Sequence, residues 1–80
     1  MLITYLKETG ELVPPILTSD TPLTLVDVLG EEKGNIYSLI YDYINIQDNM
    51  EVFNNTKKYY VDIETKELKI RQVDEIKYLF

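Results

Sequence analysis

The sequence predicts a small α+β domain: two β-hairpins, one N-terminal and one C-terminal, forming an antiparallel sheet packed by one or two short helices. Three observations predict it. Strand-like runs of β-branched and aromatic residues flank two nearly identical turns, ETGEL at Glu8 to Leu12 and ETKEL at Glu64 to Leu68. A helix-start signal stands near Thr21, between the two hairpins. A further stretch, NIYSLIYDYIN at residues 35–45, repeats its apolar residues with the helical period. The 80 residues make one domain, 1–80, near the size at which a core becomes marginal without staples.

The first strand is Leu2 to Lys7, where Ile3 and Tyr5 alternate with Thr4. Glu8 to Glu11 turn it, with Gly10 free to take a positive φ. Leu12 and Val13 begin the return, and Pro14-Pro15 should end its ladder because neither has an N–H to donate. Ile16 and Leu17 are left as a possible continuation at the sheet edge. The ETGEL/ETKEL match has no counterpart period elsewhere, so it reads as one piece of hairpin chemistry used twice and not as a duplication.

The middle is less regular. Thr21 as N-cap with Pro22 in the first helical position would start a short helix through Leu25, Val26, Val28 and Leu29, closed by Gly30. For residues 35–45, a helix puts Ile36, Leu39, Ile40, Tyr43 and Ile44 on one face, while the Ile- and Tyr-rich composition favours a strand. The expectation is a helix from about Glu32 to Asp42, then a strand from Tyr43 to Gln47. Asp48-Asn49-Met50-Glu51 has capping-box spacing with Asp48 as the cap, and Asn54, Asn55 and Thr56 limit that helix to one or two turns. Lys58 to Ile63 is the strongest strand, and Leu68 to Val73 returns from it. The tail DEIKYLF reads as a further strand or a helical turn, its apolar end suggesting docking.

Composition removes several kinds of chemistry. There is no Cys and no His, hence no disulfide, no thiolate zinc site, no cysteine nucleophile and no imidazole base. Gly10, Gly30 and Gly34 do not make a phosphate loop, and Ser19 and Ser38 have no histidine to activate them. Carboxylate pairs remain: Asp62 with Glu64, Glu31-Glu32 and Asp74-Glu75. Acid–base work needs two carboxyls in different environments inside a cleft, and solvated surface acids are the simpler reading. A non-enzymatic protein with no cofactor and no metal is expected.

The net charge of −6 is uneven: residues 1–56 carry nine acids against two lysines, residues 57–80 five acids against six bases. With one Arg in the chain, nucleic acid is not an expected partner. No run of apolar residues is long enough to span a membrane, and the start lacks a basic segment followed by an apolar run. The expected place is therefore the cytosol or a particle assembled inside the cell, without secretion by a signal peptide and without a transmembrane segment. Tyrosine supplies most of the aromatic bulk. Tyr59 and Tyr60 face opposite sides of one strand, so they are candidate protein-contact residues, with strand tyrosines bearing wet hydroxyls as the alternative.

The stretches ITYLKETGELV, YINIQDNMEV and YYVDIETKEL, in that order, resemble small proteins encoded in the tail and host-adsorption gene region of siphophages of Gram-positive bacteria. The likeness spans Ile3 to Val13 and Tyr43 to Ile70 and rests on strand-and-turn texture, so no functional residue is carried over. The resemblance implies a phage accessory or minor tail-associated structural protein, docking to a tail or baseplate component or self-associating as a homo-oligomer. The competing expectation is a small acidic phage-encoded inhibitor of a host nucleic-acid-processing protein.

Overall fold

A computed structural model describes residues 1–71. The fold is α+β: an antiparallel sheet in the order β2-β1-β3, a second hairpin β4-β5, and three short helices. Strand β1 (Leu2–Leu6) lies at the centre, with β2 (Leu12–Leu17) and β3 (Tyr41–Asn45) antiparallel on its two sides. Being central, β1 is buried on both faces; Leu2, Ile3, Thr4 and Tyr5 are all fully buried. One face carries Ile3 and Tyr5 into a core with Met1, Val52 and Val61, flanked by Ile44, Ile46, Tyr59 and Leu68. Thr4 is the polar exception, and its hydroxyl donates to the Pro15 carbonyl at 2.8 Å.

Pro14 and Pro15 do not end β2. The register jumps from Ile3↔Ile16 to Thr4↔Val13, so both prolines bulge out of the ladder and the strand runs on to Leu17. Lacking an N–H, each is tolerated where the strand is a sheet edge.

Helix α1 (Leu25–Leu29) is capped by Thr24, not Thr21. The Asp27 amide donates to the Thr24 hydroxyl at 3.0 Å and the Thr24 amide to the Asp27 carboxylate at 2.9 Å, a reciprocal pair that Thr21-Pro22 cannot offer. Gly30, at φ 91°, ends α1 and opens α2 (Glu31–Tyr37). The two helices approach so closely that a Cβ on Gly34 would sit 2.8 Å from the Val26 Cα.

The expected helix Glu32 to Asp42 is too long, and the expected strand Tyr43 to Gln47 starts too late. Helix α2 stops at Tyr37, two i→i+3 turns follow, and β3 begins at Tyr41. The reason is tertiary: β1 offers a partner to every residue from Tyr41 (opposite Leu6) to Asn45 (opposite Leu2), and those ladder bonds outweigh extending the helix through Asp42. Helix α3 (Met50–Asn54) is capped by Asn49 instead of Asp48. The Asn49 side chain accepts from the Glu51 and Val52 amides, while Asp48 accepts from the Ser19 amide and the Met1 amino group.

A 3₁₀ turn (Thr56–Lys58) leads into β4 (Tyr59–Asp62), which pairs with β5 (Glu67–Ile70). This hairpin forms its own two-stranded sheet, stitched to the first turn by a Glu11–Tyr60 bridge and by the Val61 amide donating to the Gly10 carbonyl at 2.9 Å. The two look-alike turns match in detail. The third residue of each motif takes a positive φ, 84° at Gly10 and 63° at Lys66, and each donates its amide four residues back, to Leu6 and to Asp62. The expectations for Val73 and for the DEIKYLF tail lie outside the described residues.

Candidate interaction surface

Stopping α2 at Tyr37 disperses the apolar face that a longer helix would have buried. Ile44 goes to the core, but Ile36 in the last turn of α2 and Leu39 and Ile40 in the turn that follows are 61%, 77% and 58% exposed. They fall on one tight corner, because the Leu39 amide donates to the Ile36 carbonyl and the Ile40 amide to the Tyr37 carbonyl. Beside them Tyr37 stacks on Tyr41 with ring centroids 4.4 Å apart, and the Tyr37 hydroxyl donates to the Pro14 carbonyl at 3.2 Å. That clamp ties the corner to β2 and β3 of the sheet. Exposed apolar groups concentrated in this way mark contact sites more often than isolated ones do.

The sequence-based candidates, Tyr59 and Tyr60, are both half-buried and point to opposite faces of β4. Tyr59 packs on the core and, with Glu11, Leu12, Thr56, Lys57 and Arg71, lines a groove of about 260 Å³. Burial, with the nearby Glu51 carboxylate adding to it, pushes the Tyr59 hydroxyl above its ordinary pKa. Tyr60 instead lies under the Arg71 guanidinium, 5.8 Å from its ring centroid, and opposite Lys69. The pair is thus split into a packing residue and a surface residue. Tyr59→Ala is expected to lower the melting temperature by about 5–10 °C, whereas Tyr60→Ala changes it by less than about 3 °C. Equal losses for the two, measured by circular dichroism on heating, would contradict this division.

A third cluster joins distant parts of the chain. The buried Tyr5 hydroxyl donates to the Asp42 carboxylate at 3.4 Å and accepts from the Lys66 ammonium at 3.3 Å, and Lys66 reaches Asp42 at 3.2 Å. Burial pushes the Asp42 carboxyl up, but the Tyr43 amide and then Lys66 outweigh it and hold the group below its ordinary value. Hydrogen bonds to Tyr5 and Asp42 raise Lys66. The arrangement is a latch between sheet and second hairpin.

The carboxylate pair Asp62 and Glu64 is not brought together as acid and base. Asp62 is held low first by Lys69, 2.8 Å away, and then by the Glu64 and Thr65 amides that it caps. Among the described residues no group of three or more His, Cys, Asp or Glu is placed to hold a metal ion, and no helix is long and apolar enough to cross a membrane.

Sequence reasoning missed Ile36, Leu39 and Ile40 because it spent them on a buried helix face. The available signal was the length of β1, which needs an equally long partner on each side. The Tyr5–Asp42–Lys66 latch left no signal at all, since its members are remote in sequence. The chain matches no known protein family, no curated protein and no solved structure.

Proposed function

We propose that this chain is a non-enzymatic docking module, an accessory or minor tail-associated structural protein of a phage. The observation that carries the docking reading is the exposed corner of Ile36, Leu39 and Ile40, held in place by the Tyr37–Tyr41 stack. Leaving three large aliphatic side chains in water costs solubility, and covering them with a partner recovers about 25 cal/mol per Å². The phage setting rests on the resemblance of residues 3–13 and 43–70 to small siphophage tail-region proteins. The competing reading, an acidic inhibitor of a nucleic-acid-processing protein, would use free carboxylates arrayed in a strip; Asp42 and Asp62, each engaged by a lysine, would not belong to it.

The test is site-specific photo-crosslinking in the cells that make the protein, with the reactive group placed at Leu39 in one variant and at Tyr60 in another. A docking module using the apolar corner gives a discrete adduct from Leu39. An adduct from Tyr60 alone would move the contact to the second hairpin, and no adduct from either position would overturn the docking reading.

A further inference from the structure

We propose that the partner at this corner is a second copy of the chain, joined edge to edge through β3 into one continuous sheet; the proposal rests on the docking reading above and names its occupant. Three observations point there. The first is which edges are closed. Pro14 and Pro15 remove two N–H groups from the β2 edge, and the turn at Gly10 and Glu11 covers the free side of β4. Edges β3 and β5 carry no proline, and among the described residues no backbone pairs with their outer sides; β5 sets the charged Glu67 and Lys69 along its length, which leaves β3 as the less charged open edge.

The second observation is charge. A chain of net charge −6 repels its own copies, so self-association belongs where charge is least. Residues 34–47 hold a single ionisable acid, Asp42, already met by Lys66 at 3.2 Å.

The third is register. Met1 pairs with Ile46 and Lys7 with Ile40 through backbone bonds, so by alternation the N–H and C=O of Tyr41 and Tyr43 point away from β1. An antiparallel pairing with its two-fold axis at Tyr43 uses those groups. It sets Asp42 opposite Ile44 of the other copy and Ile40 opposite Ile46, with no two acids facing. The Tyr43 amide now donates to the Asp42 carboxylate at 2.8 Å. Pairing exchanges that bond for one to the facing strand and leaves Asp42 its bonds to Lys66 and Tyr5. Leu39 and Ile40, at the strand's entrance, are covered in the same step.

The experiment is sedimentation velocity over a concentration series on the full chain, on Tyr43→Pro and on Leu39→Glu, with circular dichroism to check folding and amide exchange at Tyr43 as a second readout. Proline at 43 removes an N–H that β1 does not use, so the monomer keeps its ladder. The expected result is a monomer–dimer equilibrium that weakens at least about tenfold in both variants, and a Tyr43 amide that exchanges more slowly as concentration rises. If Tyr43→Pro does not fold, Leu39→Glu and the exchange readout decide. A dimer indifferent to Leu39→Glu, with concentration-independent exchange at Tyr43, overturns the β3 interface. A monomer at every concentration overturns the second copy, and a Leu39 adduct of unequal mass would then show that docking survives with a different partner.

Discussion

Gly10→Ala is expected to destabilise the domain by about 3–4 kcal/mol, through two costs that add. Its φ of 84° lies in the left-handed region, which costs an alanine about 1–2 kcal/mol. Its new Cβ would stand 2.0 Å from the Val61 carbonyl oxygen, a backbone atom that cannot swing away. Relief means breaking the Val61–Gly10 hydrogen bond and the Glu11–Tyr60 bridge, which together seat the second hairpin on the first. Urea unfolding measures the loss, and a variant within about 0.5 kcal/mol of the parent would show that the hairpins do not meet there. Gly30→Ala is the comparison: φ is 91° but nothing lies within 4 Å of its Cβ, so only the backbone cost remains and the loss should be smaller.

The other large effect is expected at Tyr5. Tyr5→Ala removes a fully buried aromatic ring from the central strand and should cost about 4 kcal/mol, the range for truncating a core aromatic. Tyr5→Phe keeps the ring and deletes the hydroxyl, and should cost about 1 kcal/mol, because Lys66 and Asp42 still hold each other at 3.2 Å. Equilibrium unfolding of both variants separates packing from latch. A Phe variant as damaged as the Ala variant would mean that the hydroxyl, not the ring, carries Tyr5's contribution.

Much of this fold was legible in the residues. Both hairpins lie where their alternating strands and their ETGEL and ETKEL turns place them, and the shared turn chemistry extends to the positive φ at the third position of each. The short α3, ended by Asn54 and Asn55, also follows from local chemistry. The caps were harder. Thr24 competes with Thr21 and Asn49 with Asp48, each one to three positions apart, and the winner is the side chain whose oxygen reaches a free amide once the chain direction is set. Local sequence narrows such choices without deciding them.

The candidate surface was less legible, and the cause is a single competition. Residues 35–45 suit a helix by periodicity and a strand by composition, and from Tyr41 onward only the strand gains a partner in β1. That outcome exposes Leu39 and Ile40, frees the outer edge of β3, and brings Asp42 to Tyr5 and Lys66. The amino-acid sequence by itself determined the class of the domain, its turns, and the exclusion of thiol and imidazole chemistry. Tertiary structure alone decided which apolar residues face water, because exposure depends on strand pairings between segments that no local pattern connects.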